Sequence, residues 1–214
     1  MNLEKQYKLL QQGVEQLPVV VSTEQQQQLM DYLRLLIKWN KAYNLTAVRD
    51  PNEMVIRHLL DSLTVLPWIK GNVILDVGTG AGIPGFPLSI MYPEKQFQLL
   101  DSNGKKTRFL IQAKTDLKRD NIAIVKNRIE QFKPTKPIDA IVCRAFSSLI
   151  DFVDGIKHLV NPSTELLAMK GVLQEEELQQ LPMYCEVKKI IKLDVPLLDE
   201  ERHLVILNIK EINK

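Results

Sequence analysis

The apolar positions of this chain change period near residue 70. Before it they recur three and four residues apart, the mark of helices with one buried face. In that first part Ser22 stands as an N-cap with Gln25 as its reciprocal partner. Leu29, Leu33, Leu36, Ile37 and Asn40 then share a stripe that Met30, Tyr32 and Trp39 widen. Asp50-Pro51-Asn52-Glu53 opens a further helix, with an acid at the cap, proline in the first turn and glutamate at the third position. Met54, Val55, Leu59, Leu63 and Leu66 follow at helical spacing, and Pro67 helps to end that helix. After Gly71 short apolar runs alternate with polar, helix-like stretches: strands are predicted at Val73–Val77, Gln96–Leu100, Ile122–Val125, Ala140–Cys143, Glu165–Met169, Val187–Leu193 and His203–Ile209. The pattern predicts an α/β fold: a helical N-terminal extension over residues 1–70, and a domain over 71–214 built on a seven-stranded, mostly parallel sheet, the two packed as one globular unit.

The most informative segment joins the first two strands. Ile74-Leu75-Asp76-Val77-Gly78-Thr79-Gly80-Ala81-Gly82-Ile83-Pro84-Gly85 runs from an apolar strand through an acid into alternating glycines. Glycines turn the chain where a Cβ would clash and let a ligand touch bare backbone. A helix starting just beyond would aim free N–H groups at that ligand. The spacing is not the G-x-G-x-x-G shaped around a pyrophosphate. It is D-x-G-x-G-x-G, similar to motif I of S-adenosylmethionine-dependent methyltransferases, whose Rossmann-like fold the strand pattern also suits.

Composition narrows the class without naming it. The apolar share is 45% and the charged share 25%, ordinary for a globular protein. The Met1–Gln6 segment lacks the basic-then-apolar layout of a secretory signal, no apolar run approaches a membrane span, and the spacing of Cys143 and Cys185 suits neither a metal nor a redox motif. A cytoplasmic protein without metal or structural disulfide is expected, and nothing demands more than a monomer. The net charge of +2 hides an asymmetry: Lys105–Lys136 holds ten bases and three acids, net +7, so the remainder carries −5. A basic block in a near-neutral chain suits an anionic partner, although composition alone also allows a solvated helix face.

In open α/β sheets ligands lie beyond the carboxyl ends of the strands, so the residues that follow each strand are the candidates. After the first come Gly78, Gly80 and Gly82. After the second comes Asp101, suited to accept from the two hydroxyls of a ribose. Asn127-Arg128-Ile129-Glu130 follows the third and can flank an adenine with an apolar side chain and a polar edge. Cys143-Arg144-Ala145-Phe146 comes at the end of the fourth, and Lys170-Gly171 after the fifth.

The chain resembles the bacterial glucose-inhibited division protein B family, the small-subunit ribosomal RNA guanine-N7 methyltransferases. The likeness runs from about Trp39 to the last strand. It rests on Trp39-Asn40-Lys41-Ala42-Tyr43-Asn44-Leu45-Thr46, Arg57-His58-Leu59-Leu60-Asp61-Ser62, the glycine turn, Leu99-Leu100-Asp101-Ser102, Arg144-Ala145-Phe146, Lys170-Gly171 and Glu201-Arg202-His203-Leu204. The resemblance implies an S-adenosylmethionine site at Gly78, Ile83, Ile129, Glu130 and Arg144, and a guanine in the 530 loop of 16S rRNA as the substrate. Naked rRNA, a precursor particle and the mature small subunit are all open as the form recognised. Cys143 stands where the family usually has serine.

Guanine N7 has an in-plane lone pair and no proton, so it can attack the sulfonium methyl in line without a general base. Such a reaction gains from alignment and from exclusion of water. Arg144 and Lys170 are the candidates for orienting the base or its phosphate, and contact to O6 or phosphate leaves N7 free. His58 with Asp61 could form a dyad but is expected to brace the extension against the sheet. His203 is expected to pack or to pair with an acid, the Trp39–Tyr43 pair to belong to the helix core, and Glu175-Glu176-Glu177 to face solvent. Two rival functions share the fold, a nicotinamide-dependent oxidoreductase and a non-catalytic RNA- or ribosome-binding protein.

Overall fold

In the computed structural model, which describes residues 3–146 and 148–210, seven strands form one sheet in the order β3-β2-β1-β4-β5-β7-β6. They are β1 (Val73–Val77), β2 (Gln96–Asp101), β3 (Ile122–Lys126), β4 (Ala140–Arg144), β5 (Glu165–Lys170), β6 (Cys185–Lys192) and β7 (His203–Ile209). The first five run parallel, and β7 lies antiparallel to both β5 and β6. From β1 the chain moves outward to β2 and β3, then returns to β4 on the other side of β1. That reversal opens a crevice at the carboxyl ends of β1 and β4. Strands β2 to β5 each run one residue past the expected end. Asp101, Arg144 and Lys170 are therefore terminal ladder residues, aimed by the sheet rather than by a loop. β6 begins and ends earlier than its apolar run suggests, with a register shift between Val187 and Lys189.

Successive residues of the central strands enter different cores. Ile74, Phe97, Leu99, Ala140, Val142 and Leu167 belong to one cluster, and Leu75, Val77, Leu100, Ile141, Cys143 and Leu166 to the other. Both faces are covered, which is why these strands read as unbroken apolar runs. The second cluster is closed by Leu149, Phe152, Val153 and Ile156 of α7 (Leu149–Ile156); the short α8 (Glu175–Gln179) lies beside that helix.

The first cluster is continuous through the N-terminal helices α1 (Glu4–Val14), α2 (Thr23–Tyr43), α3 (Pro51–Met54) and α4 (Asp61–Leu63), and through α5 (Gly85–Met91) and α6 (Gly104–Asp116). The caps form as the sequence requires. Ser22 Oγ accepts from the Gln25 amide at 3.1 Å while Gln25 Oε1 accepts from that of Ser22 at 2.9 Å. Asp50 Oδ1 accepts from the amides of Asn52 and Glu53. Met54, Val55, Leu59, Leu63 and Leu66 are all buried.

Four expectations change. Val55–Leu60, between α3 and α4, is a π-helical turn, a form that concentrates at functional sites. The helix ends at Leu63, and Pro67 lies in a separate 3₁₀ turn, Leu66–Trp68. Tyr43 is 42% exposed, its ring 5.1 Å from that of the half-buried Trp39, because the stripe on α2 is wider than the elements facing it. Arg119, counted in the basic block, is buried and donates to Gln28 Oε1 and to the Ser89 carbonyl. Among the described residues no helix is long and apolar enough to cross a membrane; Met1 and Asn2 of the segment read for a leader lie outside those residues.

Candidate functional site

The turn after β1 has an open half and a closed half. Gly78 and Gly80 take φ of +65° and +62°, a region that L side chains rarely enter. A Cβ on Gly80 would meet nothing nearer than 3.8 Å, and one on Gly78 would reach only the Phe146 ring at 3.7 Å. Bare backbone therefore faces outward here. Gly82, at φ +93°, turns the other way: a Cβ would come within 2.7 Å of Leu110 Cδ2 and 3.0 Å of Phe86 Cβ. Ile83 is buried in the same core. The closed half is thus a packing joint.

Residues from three directions hold the turn. The Thr79 amide donates to the Leu100 carbonyl at 3.0 Å, and the Gly80 amide to Asp101 Oδ2 at 2.9 Å. Asp76 Oδ2 accepts from Thr79 Oγ1 at 2.6 Å and from the Gly85 amide at 2.8 Å, tying β1 to the start of α5. Burial pushes the Asp76 carboxyl up to about 7, with those two hydrogen bonds opposing. From the N-terminal extension, Tyr32 donates to the Ala81 carbonyl at 2.6 Å and stacks on Phe86. The sequence marks Tyr32 only as part of a stripe; its hydroxyl shapes the turn.

Beside the open half lies a cavity of about 300 Å³, lined by Gly78, Asp101, Lys106, Asn127, Ile129, Glu130 and Phe146 among others. The structure thus brings together residues separated by half the domain. Asp101 Oδ1 accepts from the Asn103 amide at 2.8 Å and Oδ2 from Gly80, leaving acceptor capacity on each oxygen. A 3₁₀ turn, Ile129–Gln131, presents Ile129 and Glu130 after β3. Bare backbone, a carboxylate and the apolar flanks Ile129 and Phe146 suit a nucleoside-like ligand. Gly80, Gly82, Ile83 and Arg144 do not line this cavity; Arg144 lines its neighbour.

Phe146 also borders a second cavity, of about 490 Å³, at the ends of β4, β5 and β7. Arg57, His58, Asp61, Arg144, Lys170, Arg202 and His203 line it. Arg144 Nη1 donates to Asp61 Oδ2 at 2.8 Å and to the Arg57 carbonyl, and Nη2 lies 3.3 Å from His58 Nδ1. His58 and Asp61 thus both bind Arg144 rather than forming a dyad, and the cluster ties the extension to β4. Burial, with Arg144 adding to it, holds the buried His58 neutral, pushed down to about 3; its Nε2 lies 2.9 Å from Thr46 Oγ1. Burial pushes Asp61 up, and Arg144 and Arg202 pull it back.

Two expected roles are corrected. Glu177 is not a solvated acid: it accepts from Lys170 Nζ at 2.6 Å and from the Leu149 amide at 2.9 Å, because α8 folds over the end of β5. His203 is half-buried, as packing requires, but its ring pairs with a carbonyl rather than an acid, Nδ1 lying 2.7 Å from Gly171 O. Cys143 is buried on the α7 side of β4, where burial holds its thiol well up, so it has no nucleophilic role. Arg57 and Arg202 were not singled out from the sequence. The two Arg-His pairs, Arg57-His58 and Arg202-His203, are the signal that marks them, since both pairs converge on this cavity.

Residues 25–205 match the family model described as rRNA small subunit methyltransferase G. Ribosomal RNA small subunit methyltransferase G of Ectopseudomonas mendocina is 55% identical over 200 residues, covering 92% of this chain and 94% of the relative. The protein of the same name from Pseudomonas syringae pv. syringae is 50% identical over 198 residues, covering 92% of each chain. Among solved structures, a SAM-dependent methyltransferase from Aquifex aeolicus superposes with a TM-score of 0.60 at 19% identity, covering 80% of this chain and 97% of that one. At that identity the likeness speaks to fold alone.

Proposed function

The chain belongs to the rRNA small subunit methyltransferase G family, and we propose that it methylates N7 of a guanine in the 530 loop of 16S rRNA, by in-line transfer without a general base. Its cofactor is S-adenosylmethionine, which when bound supplies an electrophilic methyl on a sulfonium. The first cavity suits that group. Gly78 would admit it to bare backbone, Asp101, anchored by the Gly80 amide, would accept from its ribose, Ile129 and Glu130 would flank its adenine, and Arg144 would meet its methyl-bearing end from the neighbouring cavity. Gly82 and Ile83 would act from behind, by holding the shape of the turn.

The observation that carries the reading is the character of the second cavity. Its cations, Arg144, Lys170 and Arg202, are donors only, while His58 and Asp61 are already engaged by Arg144. His203 also lines the cavity, its Nδ1 2.7 Å from the Gly171 carbonyl, but N7 of guanine has no proton for any of these groups to remove. Arg144 and Lys170 would orient the base through O6 or through its phosphate. The chain's contribution is alignment, the term such a transfer needs most. The basic residues exposed on α6, Lys105 and Arg108, supply phosphate contacts for the surrounding RNA.

The test is to incubate the protein and S-adenosylmethionine with small-subunit rRNA or precursor particles from cells lacking the enzyme, and to map modified nucleotides by mass spectrometry. 7-Methylguanosine at one position of the 530 loop is expected. Methyl found only elsewhere in rRNA, or only on protein, would overturn the substrate assignment.

A further inference from the structure

We infer that His203 selects guanine, its Nε2 accepting a hydrogen bond from the exocyclic 2-amino group of the base. The inference deepens the guanine-N7 reading above and rests on it. His203 Nδ1 lies 2.7 Å from the Gly171 carbonyl, which can only accept, so Nδ1 carries a proton. In the neutral ring the other nitrogen, Nε2, then holds a lone pair. His203 lines the second cavity, where its neighbours Arg144, Lys170, Arg202, Asp61 and His58 offer no such acceptor to a ligand. Arg144, Lys170 and Arg202 only donate. Asp61 Oδ2 accepts from Arg144 while its Oδ1, 3.8 Å from Arg202 Nε, is buried out of reach of a ligand, and the two nitrogens of His58 face Arg144 and Thr46.

Guanine needs both kinds of partner. Its O6 and N7 accept, whereas its 2-amino group donates. The cations can serve O6 but not the amine. The order of the sheet places the remaining acceptor at the right end. The cofactor cavity lies on the β1–β2 side, and His203 pairs with Lys170 across β5 and β7. β7 stands two strands from β4, roughly 10 Å at ordinary strand spacing. That distance accommodates a purine with a partner at each end. A guanine with N7 toward the glycine turn points its far end, the 2-amino group, toward β7. Adenine has no amino group at that position and would leave the acceptor unmatched.

The experiment compares kcat/KM on rRNA carrying guanosine or inosine, which lacks the 2-amino group, at the methylated position. Wild type, His203→Leu and His203→Gln are assayed, with cofactor affinity followed by calorimetry. The wild type should lose about five- to tenfold on inosine, the worth of one neutral hydrogen bond. His203→Leu should lose as much on guanosine and no more on inosine. His203→Gln keeps an acceptor and should recover most of the guanosine rate, and cofactor affinity should stay unchanged in both variants. A leucine variant that keeps the wild-type preference for guanosine overturns the assignment. So does a wild type indifferent to inosine, whatever the variants do. Absence of 7-methylguanosine from the wild-type guanosine product would instead strike the parent reading.

Discussion

Arg144 joins the fold to the site, and Arg144→Met measures how much each depends on it. Methionine keeps most of the stem and removes the guanidinium. Asp61, 2% exposed, would lose a 2.8 Å charged hydrogen bond and keep only Arg202, whose Nε is 3.8 Å away. The Arg57 carbonyl and His58 would each lose a donor. Breaking a buried pair costs about 3–5 kcal/mol. The Arg144 side chain is 23% exposed, so water tempers the loss, and about 2–3 kcal/mol is expected. For a chain of this size that lowers Tm by roughly 4–12 °C. The sign of the pH dependence follows from Asp61. Without Arg144 its folded pKa rises further above the unfolded value, so the folded state holds a proton that the unfolded state has released. Stability is then lost as pH rises through that window. The variant's deficit should be smallest under mildly acidic conditions and widen toward alkaline pH. Thermal unfolding followed by circular dichroism, across pH, reads both effects. Asp61→Asn in the same background should recover part of the loss, with a coupling of about 1 kcal/mol or more. A drop below about 0.5 kcal/mol, or purely additive substitutions, would refute the view that the pair ties the extension to β4.

Asp101→Ala removes both the proposed ribose acceptor and the Gly80 anchor; calorimetry should show S-adenosylmethionine binding weakened at least about tenfold, and unchanged affinity would sink the assignment. Gly82→Ala combines a left-handed φ with a clash against Leu110 and Phe86 and should destabilise by about 2–4 kcal/mol, whereas Gly80→Ala should cost about 1 kcal/mol and act mainly on cofactor affinity; equal Tm values would contradict the open and closed halves of the turn. Alanine at Lys105, Lys106 and Arg108 together should reduce the slope of log affinity for rRNA against log salt by about 2–3, and an unaltered slope would move the contact elsewhere. A thiol reagent should leave buried Cys143 untouched until the protein unfolds and react slowly with half-buried Cys185, whose thiol burial pushes up to about 11; fast modification of Cys143 in the native protein would show that β4 is open.

Much of the frame could be read from local order. The strand limits at β1 and β7, the reciprocal cap at Ser22 and the acid cap at Asp50 depend on residues within a few positions of one another. The glycine turn is legible for the same reason, since its conformation is set by which residues lack a Cβ. The apolar pattern ends β2, β4 and β5 one residue short of their last ladder residue. Their last residues, Asp101, Arg144 and Lys170, are polar, and an apolar pattern stops before them although the hydrogen-bonded ladder does not.

The sequence by itself therefore determined most of the element types, the glycine turn and the acids and bases at the strand ends, because period, capping and backbone freedom act over short distances along the chain. Only the tertiary structure decided that β7 inserts between β5 and β6, that Gly82 turns inward while Gly80 faces out, and that Arg119 is buried while Tyr43 is not. It alone made partners of Arg144 and Asp61, and of Lys170 and a glutamate that reads as solvated. The physical reason is that a side chain's charge and polarity are written locally, but its burial and its partner depend on which distant element comes to rest against it.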